Sequence, residues 1–366
     1  MEPDPALFQD NERTTPDHEG RQFASVGALK CAGGLLPEVT IAYETWGELN
    51  AARDNAVLVC HAVSGDSHAV GWWDRIVGPG RAIDTDHFFV ICSNTLGGCQ
   101  GSTGPAGIAP DGMLWASRFP MISVENMVEA QIRLIEHLGI PKLRAVIGGS
   151  MGGMQAIEWT LQRPGLVDLA ILTASCASHS AMQIGFNEAA RQAVLRDPKF
   201  RGGDYPLDDP PVDGLSIARM IGHLSYLSEA SFDRKFGRRL QDKEHFDYSW
   251  SPEFQVESYL NYQGDKFTRR FDANSFLVLT RAIDYYSRTT FAGSKSRYLI
   301  LSYKSDWLYP THQSITMESM ARDAGCRVER YEIDLPLGHD SFLLDGDKQG
   351  TYIKSVLASD LSCHHN

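Results

Sequence analysis

What this 366-residue chain lacks narrows it first. It has no CxxC pair, and its seven cysteines (Cys31, Cys60, Cys92, Cys99, Cys176, Cys326 and Cys363) are scattered and odd in number. That excludes a disulfide framework or zinc ribbon, implies no metal site, and fits reduced thiols. There is no run of 18 apolar residues, and the opening MEPDPALFQDNERTTPDHEG is polar, without the apolar stretch of a secretory signal. A cytoplasmic protein with no membrane partner is therefore expected. Positive charge is scarce: 34 Lys and Arg against 46 Asp and Glu give a formal net charge of −12. Such a field repels nucleic acid and anionic lipid and points to small-molecule substrates. Internal repeats and low-complexity tracts are also missing.

What is present reads as alternating strands and helices. Residues 1–24, rich in Pro, Asp and Glu, form a flexible leader in this reading. Order is expected from near Ala28, with ALKCAGG and EVTIAYETWG as a pair of antiparallel strands. The apolar runs at 56–62, 87–94, 143–150 and 169–175 each have the length of a strand buried on both faces. Helical patterns at 124–138 and 154–162 separate them, which argues for a doubly wound, mostly parallel sheet. From 177 to 294 the spacing turns helical, with a break at PLDDPP, and strand character returns only at RYLILSY (297–303) and RVERYEI (327–333). The sequence thus predicts a core domain from 25–176 and 295–366, interrupted by a helical lid domain at 177–294.

The chemistry centres on LRAVIGGSMGGMQAIE, where Gly148, Ser150 and Gly152 make GxSxG between a buried strand and a helix. By itself GxSxG is often a glycine-rich turn. A strand before it, a helix after it and the Gly152-Gly153 pair favour a nucleophile elbow of the α/β-hydrolase fold, with Ser150 as nucleophile. A serine hydroxyl needs a base and an orienting acid, and this fold supplies them in the order Ser, Asp, His. Asp306 follows RYLILSY and His339 follows RVERYEI, so they are the candidate acid and base. Read structurally, Asp306 is a turn or cap aspartate and His339 a helix cap. His61, His68, His223 and His312 fit less well, lying before or inside the inserted module or on a helix after Asp306. Asp334 and Asp340 are too close in sequence to His339 to approach its ring from the opposite side. The oxyanion donors are expected from the N–H groups of Met151 and of Val63, in the loop CHAVSGDSHA.

AYETWGELN, VLVCHAVSGDSHA, GWWDRIVGPGRAIDTDHFFVICSNTLGGCQGSTGP, VIGGSMGGMQAIEW, FNEAARQAV, ARMIGHLSYLSE, RKFGRRL, SDWLYP and GHDSFLL together resemble the homoserine O-acetyltransferase family, over nearly all of residues 42–344. The resemblance implies transfer of an acetyl group from acetyl-CoA, a cosubstrate rather than a bound cofactor, to the side-chain hydroxyl of L-homoserine in methionine biosynthesis. It implies a ping-pong course through acyl-Ser150, with His339 deprotonating the acceptor. It also implies that Arg219 pairs with the substrate carboxylate, a task suited to its planar fork. Asp340 would hold the ammonium, Ser64 and Tyr226 would line the pocket, and the lid would mediate a homodimer.

The oxyanion loop is mixed in character, because Val63 and Ser64 stand where acetyl-transferring members often carry Leu and Thr. Succinyl-CoA as donor and serine as acceptor stay open, the latter because one methylene is worth only about 1–3 kcal/mol of discrimination. A serine esterase with the same triad is the other catalytic reading. A non-catalytic binding protein would be expected to break the triad, and this chain keeps all three members in order. Arg234, Lys235, Arg238 and Arg239 form a basic stretch that reads first as a solvated helix face and second as a contact for cosubstrate phosphates. Trp72 and Trp73 read as core aromatics.

Overall fold

The structure, a computed structural model, describes residues 20–358; most of the expected leader, and Cys363, lie outside the described residues. Its centre is a single sheet of eight strands: β1 (Gln22–Ser25), β2 (Thr40–Trp46), β3 (Ala56–Cys60), β4 (Phe89–Ser93), β5 (Leu143–Gly149), β6 (Val167–Thr173), β7 (Arg297–Tyr303) and β8 (Val328–Ile333). Their spatial order is β1-β2-β4-β3-β5-β6-β7-β8. β2 pairs antiparallel with β1 and β4, and the remaining pairs are parallel. The doubly wound, mostly parallel sheet expected from the apolar runs is thus present.

Helices cover both faces: α1 (Val124–His137), α2 (Met151–Gln162), α3 (Ala181–Leu195), α4 (Val212–Tyr226), α5 (Glu229–Lys235), α6 (Gln255–Thr268), α7 (Ala273–Tyr285), α8 (Thr311–Asp323) and α9 (Lys348–Ala358). Successive strand side chains point to opposite faces. Val57, Val59, Ile147 and Ile171 pack with Trp73, Phe342 and Ile353 on one side. Leu58, Val146, Ala170 and Ile300 pack with Ile132, Ile157 and Met317 on the other. Because neither face meets water, the strands read as continuous apolar runs. Helix α1 starts at a capping box of Ser123 and Asn126, and Gly139, at φ +65°, follows its end, as helix-stop chemistry dictates.

The N-terminal edge corrects two expectations. Ordered chain begins before Ala28, since Gln22–Ser25 pairs along Thr40–Tyr43. ALKCAGG does not pair with EVTIAYETWG: Leu29–Cys31 pairs with Gly34–Leu36 in a separate hairpin. The two-residue Ala32-Gly33 turn closes this ribbon locally, leaving both edges of β2 for the main sheet. Helices α3 to α7 all lie between β6 and β7, within the stretch read as a lid. Among the described residues no helix is long and apolar enough to cross a membrane.

Candidate active site

Ser150 stands between β5 and α2 with φ +54° and ψ −122°, a backbone state an L-residue keeps only where its surroundings enforce it. Its amide donates to the Thr173 and Ala174 carbonyls at 3.1 Å each, its carbonyl accepts the Ser175 hydroxyl at 2.7 Å, and small neighbours let the turn close. A Cβ on Gly148 would lie 2.3 Å from the Gly152 carbonyl carbon, and one on Gly152 would lie 2.0 Å from the Cys60 carbonyl oxygen. These two glycines therefore press the end of β3 against the start of α2, which brings the CHAVSG loop beside the elbow.

That loop is braced from behind. His61 is buried, its Nδ1 is 2.6 Å from the Ala62 carbonyl, and its Nε2 accepts the Thr95 amide at 3.0 Å. This places the ring proton on Nδ1, and burial holds its pKa below the usual histidine value. Gly65 donates to the Ala62 carbonyl at 2.9 Å, closing a turn with Val63 and Ser64 at its corners. Met151 opens α2, so its amide has no carbonyl partner within the helix. The two expected oxyanion donors thus stand on adjoining segments.

Asp306 follows β7 and His339 follows β8, and Nδ1 of His339 lies 2.8 Å from Oδ2 of Asp306. Both are buried, and Oδ1 of Asp306 accepts the Tyr309 amide at 2.8 Å. With the carboxylate on Nδ1, the proton resides there and Nε2 is free to act as a base. Gly338 makes the bend at φ +74°, where a Cβ would sit 2.5 Å from the Ser228 amide nitrogen. The Pro336 carbonyl just before it accepts the hydroxyls of Ser228 and Ser231, tying the histidine loop to the inserted helices.

One cavity of about 90 Å³ is lined by Ser150, His339, Val63, Ser64, Tyr226 and Asp340, among others. Asp306 and Met151 are not among its lining residues. Among the described residues no hydrogen bond joins the Ser150 hydroxyl to His339; the Tyr309 phenol lines the same cavity as the serine. Catalytic hydrogen bonds often tighten only once substrate is bound. Arg219 is buried just outside the cavity lining, its guanidinium 4.8 Å from the Phe267 ring centre and 5.8 Å from that of Tyr226. One guanidinium nitrogen is 3.4 Å from the Ser64 hydroxyl. Burial raises the pKa of Tyr226, with Arg219 pulling it down and Asp340 pushing it up.

Other readings resolve locally. Trp73 is buried and its indole donates to the Phe342 carbonyl at 2.8 Å, while Trp72 stacks on it at 5.4 Å. Of the basic stretch, Lys235 lies 4.2 Å over the Tyr259 ring and Arg238 5.5 Å over Phe254, so lid aromatics engage both. The sequence reading missed His179, Asp284 and Tyr309. The Tyr309 ring stacks on His339 at 4.7 Å and its hydroxyl is 2.8 Å from His179 Nε2. SDWLYP held the tyrosine, but nothing in the sequence pairs it with a histidine 130 positions earlier.

The α/β hydrolase fold family model matches residues 55–345. Homoserine O-acetyltransferase from Solidesulfovibrio magneticus is 50% identical over 335 residues, covering 86% of this chain and 84% of that protein. Among solved structures, homoserine O-acetyltransferase from Bacillus anthracis superposes with a TM-score of 0.86 at 27% identity, covering 92% of this chain and 97% of that one. Esterase E22 superposes with a TM-score of 0.85 at 27% identity, covering 92% and 99%. With the elbow, the strand order and these relatives in agreement, the chain belongs to the homoserine O-acetyltransferase family of α/β-hydrolase-fold proteins.

Proposed function

We propose that the protein transfers an acetyl group from acetyl-CoA to the side-chain hydroxyl of L-homoserine, in the cytoplasm, as a step of methionine biosynthesis. His339 Nε2 takes the Ser150 proton as Oγ attacks the thioester carbonyl, with Asp306 holding the other ring proton in place. The amides of Met151 and Val63 receive the developing oxyanion, and His339 returns the proton to the departing thiol. In the second half the homoserine hydroxyl gives its proton to His339 and attacks the acyl carbon, and Ser150 recovers its hydrogen. Arg219 takes the amino-acid carboxylate and Asp340 its ammonium, with Ser64 and Tyr226 between them.

The observation that carries this reading is the buried Asp306–His339 pair, at 2.8 Å, on the same cavity as a strained Ser150. Transfer needs an acceptor fixed in attacking geometry, because a well-oriented group with an effective molarity of about 10⁵ M or more outruns water at roughly 55 M. The opposite charges of Arg219, near the Tyr226 ring, and Asp340, in the cavity lining, suit a zwitterion. The likeness to esterase E22 favours one second reading, hydrolysis of the same acyl-enzyme. Purified protein is to be incubated with homoserine or serine and with acetyl-CoA or succinyl-CoA. Fastest thiol release with acetyl-CoA and homoserine is expected, together with an acetyl adduct by mass spectrometry that Ser150→Ala abolishes. Thiol release that ignores the acceptor would move the assignment to hydrolysis.

A further inference from the structure

A second aspartate–histidine pair approaches Ser150 from the lid. His179 precedes α3 and Asp284 lies on α7, with side chains only 2% and 4% exposed and His179 Nδ1 2.9 Å from Asp284 Oδ1. Asp284 also accepts Asn187 on Oδ1 at 2.7 Å and Arg191 on Oδ2 at 2.6 Å, contacts that keep it a carboxylate. A carboxylate facing Nδ1 fixes the imidazole proton there, so Nε2 of the neutral ring presents a lone pair. The Tyr309 hydroxyl lies 2.8 Å from that nitrogen and must donate to it. The phenol oxygen is left with lone pairs and no proton to give, in the cavity that Ser150 also lines. From Tyr309 through His179 to Asp284 every donor points away from the cavity. From His339 to Asp306 the polarity is the same.

Resting on the reading of Ser150 as nucleophile, we propose that Tyr309 is a second proton acceptor for Ser150, backed by His179 and Asp284. As the bond from Oγ to the acyl carbon forms, the serine proton passes to the Tyr309 oxygen and the phenol proton passes to His179 Nε2. Tyrosine stays neutral, and the imidazolium formed is paired with Asp284; the reverse transfer protonates the leaving group. In this step Tyr309 exchanges the proton with the reacting oxygen, whereas His179 and Asp284 are positioning residues acting through it. Both belong to the inserted helical stretch and Tyr309 to the core, so this route exists only with the lid seated.

The test uses full-length protein and p-nitrophenyl acetate, an activated ester that acylates a competent serine whatever its natural donor. Wild type is expected to give a p-nitrophenol burst that Ser150→Ala abolishes; a wild type without one ends the nucleophile reading and this proposal with it. Given the burst, His339→Ala is expected to acylate at least about tenfold faster than the Ser150→Ala background, since a positioned acceptor is worth about 10²–10⁴. His339→Ala/Tyr309→Phe and His339→Ala/His179→Asn are expected to fall to that background. His339→Gln serves if the alanine variant does not fold. A His339 variant no faster than Ser150→Ala overturns the proposal, as does residual acylation that Tyr309→Phe leaves untouched. A merely structural tyrosine would lower the rate by the same factor with and without His339.

Discussion

Asp306 has two oxygens with two tasks: Oδ2 faces the His339 ring at 2.8 Å and Oδ1 accepts the Tyr309 amide at 2.8 Å. Asp306→Asn keeps an oxygen for the amide but loses the charge that fixes the imidazole tautomer. A fall in kcat of about 10⁴-fold with little change in the denaturation midpoint is therefore expected. A loss under tenfold, measured by thiol release, would remove Asp306 from the orienting role. At this scale the placement of Ser150 at a strand-to-helix turn and of Asp306 beside His339 was legible, because each follows a strand and their chain order is fixed by the fold. Gly148 and Gly152 were legible too, since any Cβ there would strike backbone. His179 and Asp284 were not, because a buried histidine beside a carboxylate leaves no local pattern and its partners come from distant helices.

Helix α4 carries a titration signal that belongs to the element. His223 is buried on it, 3.2 Å from the Tyr259 hydroxyl on α6. Burial first, then Arg219, Lys235 and Lys266, hold its pKa well below the usual value. An unfolded histidine takes up a proton near pH 6.5, whereas the folded one resists until lower pH. The unfolded state therefore binds more protons below about pH 6.5, and stability present above that pH is lost as pH falls. Within the window the slope is about 1.4 kcal/mol per pH unit for this group. Urea midpoints at pH 7 and pH 5 are expected to differ less in His223→Gln than in wild type, a comparison that cancels the shared carboxylates. Equal pH dependence in both would refute it. Strands of five or more residues were the legible ones, while the three- and four-residue strands near the start were misplaced or missed: β1 exposes Phe23 at 60%, so alternation cannot announce it.

For the whole molecule, the order of runs gave the layers, because β6 and β7 are neighbours in the sheet though more than a hundred residues apart in sequence. That gap can be filled only by an insertion, and helical spacing said of what kind. Which face of the inserted helices is covered and which stays exposed is not written in spacing. Helix α4 lies against α3 and α6 and still exposes Ile217 at 48% and Leu224 at 47%. The two are seven positions apart and therefore on one side of the helix. Met182, near the start of α3, is 61% exposed. Apolar side chains gathered on one module suit a self-complementary interface better than a free surface. We propose that the lid forms the homodimer contact, so sedimentation at micromolar protein is expected to give twice the 40.6 kDa chain mass. Ile217→Asp/Leu224→Asp is expected to sediment as a monomer, because two carboxylates in an apolar contact have no partner to offset their desolvation. A wild type that sediments as a single chain, or a dimer that the two aspartates leave intact, would place the contact elsewhere or remove it.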